Sequence, residues 1–439
     1  MATTAGDHDA AAPRLRTDPD FRRYAAARIT STIGSVVTFV AMPVLIYQLT
    51  DSNFWTALVV VAEGVPYLCL GLFAGALADR IDRRAMMVWS DLINAALLIS
   101  IPIADIAGGL TPPHVLAVAF ATQAGFVFFD AANFGALPQL AGPERLAAAQ
   151  SVVMGASTGI ESVAPGLVGA ALAVATPSSL LVIDAASFVG SALLIRSITR
   201  PLWNAARTAG LRRRLREDIR AGLGFVWRHP IVRIQTVVGF TVTFAGGAFV
   251  GQMVPWADQV LGVAPGDWRL GGFFSAWAVG AVLASVLFPF LSRAIGEPRV
   301  TLVVMPVFAI AYVGCAQASH WLIALPALTG WGAVYMLLVL NSLTLRQRVT
   351  PEHLLSRVNT TGRMLSYGLG YPGGALAAGV ISEAYGPRVG LLAVSVVPAL
   401  GAVAAWLSPL RSDRGQWGPP SPRGPQAGQE TGHSSAEHA

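Results

Sequence analysis

The chain contains about twelve apolar segments of roughly 20 residues, separated by short polar breaks. An α-helix needs about 20 residues to cross a hydrocarbon core of roughly 30 Å. Of the 439 residues, 54% are hydrophobic and 12% are charged, which excludes an ordinary water-soluble domain. The sequence therefore predicts an all-α membrane protein with twelve transmembrane helices. The predicted spans are 24–49, 54–78, 85–106, 113–138, 147–174, 178–198, 231–257, 270–292, 299–318, 321–344, 357–383 and 388–408.

All 30 basic residues are arginine, and they cluster at every second break. Examples are Arg22 before the first span, Arg84 after the second and Arg293 after the eighth, whereas Arg269 and Arg388 are exceptions in the opposite breaks. Cytoplasmic loops carry the excess of basic residues in membrane proteins. We therefore expect a multi-pass protein of the bacterial cytoplasmic (inner) membrane with both termini in the cytoplasm. The same clustering argues against nucleic acid as the partner of this basic chain.

The longest break between spans is rich in arginine and separates six spans from six others. Within it Leu211, Leu215 and Ile219 recur at helical spacing, which predicts a basic amphipathic helix on the inner leaflet. A plain linker between two bundles is the alternative, and both descriptions can hold. The predicted organisation is a disordered N-terminus (1–20), a six-helix bundle (21–199), the linker (200–230), a second six-helix bundle (231–411) and a disordered tail (412–439).

A short motif, GALADRIDRR, joins the second and third spans at residues 75–84. It resembles the G-x-x-x-D-R-x-G-R-R signature of the major facilitator superfamily. Asp82 replaces the second glycine, as is common in the drug and siderophore exporters of that superfamily. The resemblance implies a role in gating, and we expect Asp91 to pair with Arg84. The predicted gating residues are Gly75, Asp79, Arg80, Arg83, Arg84 and Asp91.

Further stretches resemble the same exporters, and the resemblance extends over about residues 20–410. They are 20–23 with 33–35, 136–138 with 146–150, 218–230, and 346–352 with 357–358. The resemblance implies two pseudo-symmetric six-helix bundles with a central cavity between them that opens alternately to each side.

The fifth span is rich in glycine and proline and resembles the antiporter signature G-x-x-x-G-P-x-x-G-G. The match is partial, because Ala164 stands where that signature has a glycine. Small residues allow neighbouring helices to pack closely, and generic tight packing would explain the pattern equally well. In the superfamily this helix is associated with export. The antiporter-like residues are Gly159, Pro165, Gly166 and Gly169.

Three carboxylates are predicted to lie deep in the membrane: Glu63, Asp130 and Glu161. A charge at mid-bilayer costs roughly 2.5–3.5 kcal/mol on insertion scales, so such a group usually has a function or a partner. Related antiporters often carry an R-x-x-x-G element in the fourth helix, but this chain has no arginine at 123–125. We therefore expect one of the three carboxylates to couple to protons. A structural hydrogen bond or ion pair would also explain each of them.

Other polar and aromatic residues in the spans suggest a substrate cavity. We expect Arg28 to extend toward the membrane surface and Asp184 to be structural. Neither metal-site spacing nor a phosphate-binding loop is found, so we expect no metal, no cofactor, no ATP-driven transport and no enzymatic activity. The substrate-cavity candidates are Arg363, Phe244, Gln252, Trp256 and Tyr335.

The resemblance implies a secondary active transporter, acting as a monomer in the lipid bilayer. It would export a small, largely apolar molecule, such as a drug, antibiotic or siderophore-like natural product, by proton antiport with alternating access. Uptake or facilitated transport by the same fold is one alternative. A non-transporting membrane sensor or lipid-handling protein is another.

Overall fold

The structure is a computed structural model that describes residues 15, 17–78, 80–202 and 223–411. Helices make up nearly all of the described chain, and these residues contain no β-strand. The first six helices are α1 (Pro19–Thr50), α2 (Asn53–Ala78), α3 (Arg83–Ile106), α4 (Pro112–Ala141), α5 (Leu146–Leu172) and α6 (Pro177–Arg196). The next four are α7 (Pro230–Leu261), α8 (Trp268–Ile295), α9 (Glu297–Gln317) and α10 (Trp321–Val349).

The last two membrane segments are interrupted helices. We denote Glu352–Arg363, the π-helical Met364–Gly370 and Tyr371–Tyr385 together as α11, and Pro387–Val394 with Val396–Trp406 as α12. Pro372 follows the π-helical stretch and has no backbone N–H to donate to the preceding turn. Pro372 therefore removes one backbone hydrogen bond at this point, where the Thr243 hydroxyl of α7 also donates to the carbonyl oxygen of Ser366 (2.7 Å).

Eleven helices of the described chain are long and apolar enough to cross a membrane. The predicted span 357–383 is not among them, because the π-helical stretch divides α11 into shorter pieces. All twelve predicted spans are nevertheless helical over most of their length. The predicted class, an all-α membrane protein, is confirmed.

The helices pack as two bundles, α1–α6 and α7–α12. Within the first bundle α1 and α3 pack on α6, and α2 and α3 pack on α4. Within the second bundle α8 and α9 pack on α10, and α11 packs on α7. The bundles meet mainly where α5 packs on α8 and α2 packs on α11.

The two faces of this assembly differ in charge. We call the face where α2, α4, α8 and α10 end the arginine-rich face. It carries Arg84, Arg145, Arg293 and Arg348. Polar contacts tie this face of the first bundle together, because the buried Asp20 accepts hydrogen bonds from Thr199 (2.8 Å) and Arg23 (3.0 Å).

The predictions of a disordered N-terminus, a disordered tail and an amphipathic linker helix stay untested, because these segments lie largely outside the described residues. The undescribed part of the linker is 203–222, and that of the tail is 412–439. Residues 223–228 are helical, and Val226 packs with Val232 and Val358 of the second bundle.

Candidate functional site

The bundles touch through backbone atoms where α5 meets α8, away from the arginine-rich face. A Cβ added to Gly169 would lie 2.4 Å from the Cα of Gly271. A Cβ added to Gly271 would lie 2.5 Å from the carbonyl oxygen of Pro165. Gly166 is less crowded, because its added Cβ would lie 3.0 Å from the Ser275 hydroxyl. The glycine-proline helix is therefore a contact between the two bundles.

A second close approach joins α2 to α11 in the same half of the protein. A Cβ on Gly379 would lie 2.4 Å from the Cβ of Ala57, and one on Gly64 would lie 2.8 Å from the Pro372 ring. Small residues permit this approach of helices inside a membrane. The two contacts, α5–α8 and α2–α11, together close the cavity on this side.

Polar groups reinforce the closed side at the ends of the helices. The Glu383 carboxylate of α11 accepts hydrogen bonds from the Ser52 hydroxyl (3.0 Å) and from the Phe54 amide (3.0 Å) at the start of α2. Asn53 donates to the Ser382 carbonyl oxygen (2.9 Å). We call these cross-bundle contacts of residues 52–54 with 382–383 the latch.

A further pair of polar contacts joins α1 and α2 to α7 beside the latch. The Tyr47 hydroxyl donates to Asp258 at 2.9 Å, and Gln259 donates to the side-chain oxygen of Asn53 at 3.0 Å. Each bond crosses from one bundle to the other. They must break if this side of the protein is to open.

The opposite side of the cavity is open. Gly71 and Gly75 of α2 and Gly155 and Gly159 of α5 have no neighbouring atom within 4 Å of an added Cβ. No extensive contact joins α2 to the segment Glu352–Arg363 of α11. The cavity between the bundles therefore opens to the arginine-rich face.

Arg28 of α1 is partly buried within the first bundle. Its guanidinium is 5.2 Å from the centre of the Phe129 ring and within electrostatic range of Asp91 and Glu161. The expectation that Arg28 extends to the membrane surface is wrong, because its guanidinium lies over an aromatic ring of α4. The only indication of this position in the sequence was a single arginine about 14 Å from the start of α1.

The three carboxylates proposed for proton coupling differ in the exposure of their side chains. Glu161 is exposed, whereas Glu63 and Asp130 are partly buried. In the described chain none of them makes a hydrogen bond or an ion pair. Asp130 lies within electrostatic range of Tyr67, and Glu63 within range of Tyr371 on α11. All three are therefore unneutralised by close contacts in this conformation.

Asp184, expected to be structural, has hydroxyl partners at the close approach of α1 and α6. It accepts hydrogen bonds from Thr38 and from Ser187 (3.0 Å). A Cβ on Gly34 would lie 2.3 Å from its carboxylate. These contacts account for the buried charge of Asp184.

The pairing of Arg84 with Asp91 is wrong. Arg84 donates instead to the carbonyl oxygen of Arg200 at 2.5 Å, beyond the end of α6. Asp91 is 1% exposed and lies near Ser191 on α6. The two residues do not pair because their side chains point in different directions. Arg84 extends along the arginine-rich face, whereas Asp91 points into the bundle.

The rest of the gating motif lies at the arginine-rich end of the first bundle. Arg83 donates to the Gly135 carbonyl oxygen (3.0 Å) and so joins α3 to α4. Arg80 is exposed, Gly75 faces open space, and Asp79 lies outside the described residues. The role of the motif in gating stays a prediction.

The substrate-cavity candidates fall into two groups. Trp256 and Gln252 are fully buried, and Gln252 donates to the Asn53 carbonyl oxygen (3.1 Å) on the closed side. Neither is exposed to the cavity in this conformation. Phe244 is partly buried, and its backbone touches Gly374 of α11. It packs where α7 meets α11.

Arg363 is exposed, whereas Tyr335 is buried. The Arg363 guanidinium is 5.8 Å from the centre of the Tyr67 ring on α2, across the two bundles. Tyr335 is almost buried beside Tyr367, whose side chain is 40% exposed. Sequence reasoning did not select Tyr67 or Tyr367, since residue type alone does not distinguish an aromatic residue at the cavity from one packed inside a bundle.

An aromatic core supports this wall of the cavity. Trp331 is fully buried, with its ring centre 4.8 Å from that of Phe249 and 5.9 Å from that of Tyr335. Tyr312 also packs on Trp331, at 5.8 Å. Because these rings are packed against one another, the position of Tyr335 is set by the core of the second bundle.

Two helical bundles around a one-sided membrane cavity define a transporter of the major facilitator type rather than an enzyme. A match to the model of the transmembrane secretion effector family covers residues 10–421. The chain therefore belongs to this family of the major facilitator superfamily.

Comparisons with known proteins agree with this assignment. The chain is 27% identical over 394 residues to the multidrug efflux pump Tap of Mycolicibacterium fortuitum, covering 88% of this chain and 95% of that protein. It is 26% identical over 400 residues to Tap of Mycobacterium tuberculosis, covering 88% and 92%.

Solved structures show the same fold at low identity. A bacterial homologue of the human lysosomal transporter Spinster, in an inward-facing and occupied conformation, gives a TM-score of 0.70 at 14% identity and covers 90% of this chain and 97% of that one. The nucleoside transporter NupG gives 0.72 at 12% identity and covers 88% and 98%.

Proposed function

We propose that this protein is a proton-driven exporter of small, largely apolar molecules. The observation that carries the proposal is a cavity closed on one side by helix contacts and open on the other, in a protein whose spans carry carboxylates without close ionic or hydrogen-bond partners in the described chain. The similarity to Tap, named as a multidrug efflux pump, supports export and drug-like substrates.

The arginine-rich face is proposed to be cytoplasmic, since basic residues accumulate in cytoplasmic loops. The described conformation is then inward-open, and a molecule from the cytoplasm or the inner leaflet can enter it. Rocking of the bundles would break the latch and the α5–α8 contact. It would also bring the glycines of α2 and α5 that now face open space against the second bundle. Protons entering from outside would drive the cycle by binding a carboxylate.

Transport in inverted membrane vesicles tests this proposal. Export predicts that vesicles with an acidic interior accumulate ethidium or a neutral fluorescent drug, and that a proton ionophore abolishes the accumulation. Movement of a metabolite in the reverse direction would instead indicate uptake. Absence of accumulation of every probe, with a positive control exporter in the same vesicles, would favour a sensor or lipid-handling protein.

Substitution of the carboxylates should impair proton coupling without abolishing substrate binding. We predict that at least one of Glu63→Gln, Asp130→Asn and Glu161→Gln lowers pH-gradient-driven export at least about tenfold. An amide cannot bind and release a proton as a carboxylate does, so the pH gradient can no longer drive export through that group. The same variant should retain downhill exchange of substrate, because the amide keeps the shape of the protonated acid.

Proton release on addition of substrate to the detergent-solubilised protein provides the direct measurement. Glu144→Gln is the matched control, since Glu144 is an exposed acid at the end of α4, near the arginine-rich face. If all three variants release protons like the wild type, these carboxylates are structural and the coupling group lies elsewhere.

A further inference from the structure

The π-helical stretch Met364–Gly370 lies where the two halves of α11 differ in their surroundings. On one side of it, Tyr371–Tyr385 packs on α2 of the other bundle and helps to close the cavity. On the other side, Glu352–Arg363 makes no extensive contact with α2. The irregular stretch therefore marks the boundary between the closed half and the open half of this helix.

The backbone hydrogen bonds of α11 change register at this boundary. The Tyr371 N–H donates to the carbonyl oxygen of Ser366, five residues earlier, whereas an α-helix uses the carbonyl four residues earlier. A change between π-helix and α-helix thus shifts each hydrogen-bond partner by one residue. Short π-helical segments inside α-helices are frequently found at functional sites.

A threonine of α7 holds this stretch from the side. The buried Thr243 hydroxyl donates to the Ser366 carbonyl oxygen at 2.7 Å. The hydroxyl has room there because residue 370 is glycine, where an added Cβ would lie 2.6 Å from the Thr243 oxygen. The same hydroxyl also lies 2.9 Å from the carbonyl oxygen of Gly239 on its own helix. Since a hydroxyl has one proton to donate, it can exchange the bond to α11 for a bond within α7 and remain paired.

The first bundle contacts the other side of the same stretch. A Cβ added to Gly368 would lie 3.1 Å from the Cβ of Leu68, and one added to Gly64 would lie 2.8 Å from the Pro372 ring. The stretch is therefore placed between α7 of its own bundle and α2 of the other. Relative movement of the bundles acts on it directly.

We propose that Met364–Gly370 is a hinge in α11 and that Thr243 is the positioning residue that holds it in the described conformation. When the open side closes, the hydroxyl would pass from Ser366 to Gly239, and Glu352–Arg363 would swing toward α2. This inference rests on the proposed function, because alternating access requires the open half to close. It differs from rigid rocking, in which both halves of α11 keep their positions within the second bundle.

Pulsed electron paramagnetic resonance on the protein in lipid nanodiscs tests the hinge within one bundle. Spin labels at the exposed Thr360 of α11 and Val303 of α9 report where Glu352–Arg363 lies relative to its own bundle. Thr243→Val keeps the shape of the side chain but removes the hydroxyl. It should shift the population away from the described distance roughly 2- to 12-fold, the effect of losing one hydrogen bond. Thr243→Ser, which keeps the hydroxyl, should resemble the wild type.

Two further variants keep the result interpretable. Gly370→Ala should reproduce the shift if Thr243→Val does not fold, because the added Cβ displaces the hydroxyl from the other side. Thr236→Val is the matched control, since Thr236 is a buried threonine of α7 whose hydroxyl donates to the Val232 carbonyl oxygen of its own helix (2.8 Å). Its Thr360–Val303 distances should match the wild type.

Movement of the hinge should accompany opening of the closed side. Leucine at Gly169 obstructs the contact of α5 with α8, and a second label pair at the exposed Val174 and Ala264 reports the opening. When that pair lengthens, the Thr360–Val303 distance should change as well.

Unchanged Thr360–Val303 distances in both Thr243→Val and Gly370→Ala would overturn the inference. So would a longer Val174–Ala264 distance with an unaltered Thr360–Val303 distance, which would indicate rigid rocking. Failure of the proposed function is a separate result. It would appear as wild-type vesicles that do not accumulate any probe under a pH gradient, whereas the hinge is measured without substrate.

Discussion

Gly169→Leu should prevent closure of the face opposite the arginine-rich face and stop transport while leaving the protein inserted in the membrane. Its added Cβ would lie 2.4 Å from the Cα of Gly271, which is a backbone atom that cannot rotate away. Overpacking typically costs about 1–3 kcal/mol. Because about 1.4 kcal/mol is a tenfold change in an equilibrium, we expect roughly a 5- to 150-fold loss of the closed state and a corresponding loss of transport.

Gly155→Leu is the matched control on the same helix. Gly155 has no neighbour within 4 Å of an added Cβ, so leucine there should not disturb the described conformation. Spin labels at the exposed Val174 and Ala264 report the separation at the closed end of α5 and α8. Pulsed electron paramagnetic resonance should show longer distances in Gly169→Leu and unchanged distances in Gly155→Leu. A wild-type distance distribution with normal transport in Gly169→Leu would show that this close approach is incidental.

Glu383→Gln should weaken the latch and shift the protein toward the conformation that is open on that side. The carboxylate accepts bonds from Ser52 and from the Phe54 amide, and a negative charge is favourable at the N-terminus of a helix. Glutamine keeps one acceptor but removes the charge. We expect a change of about 1–2 kcal/mol, which is roughly a 5- to 30-fold shift between conformations.

The same spin-label pair measures this change without placing a label on the latch. Asp51→Asn is the control, because Asp51 is an exposed acid at the same face and asparagine tolerates its positive φ of 48°. It should leave the distances unaltered. Equal distance distributions in Glu383→Gln, Asp51→Asn and the wild type would mean that the charge of Glu383 does not hold the bundles together.

Much of the fold could be predicted because it depends on local properties of the chain. Apolar length determines whether a helix can span a bilayer, and each of the twelve predicted spans corresponds to helix. The interruption at 364–370 was not predicted. It depends on how Pro372 and its neighbouring glycines pack on α2 and α7, which residue spacing alone does not reveal.

The sequence was sufficient to select candidate site residues by their chemical type, but it did not reveal which residues they contact. A carboxylate within an apolar span is visible in the sequence, so Glu63, Asp130 and Glu161 could be selected. The partner of Asp91 could not, because a spacing of two turns from Arg84 does not fix side-chain direction. Trp256 likewise looked suitable for a cavity but lies in the aromatic core.

The sequence by itself determined that this chain is an all-α membrane protein with two sets of six spans and a basic face. These properties follow from the length, hydrophobicity and charge of individual segments. Only the tertiary structure decided that Gly169 touches Gly271, that Glu383 binds the start of α2, and that the cavity opens toward the arginine-rich face. Those contacts join residues far apart in the chain, and their formation depends on the relative position of two bundles rather than on any single helix.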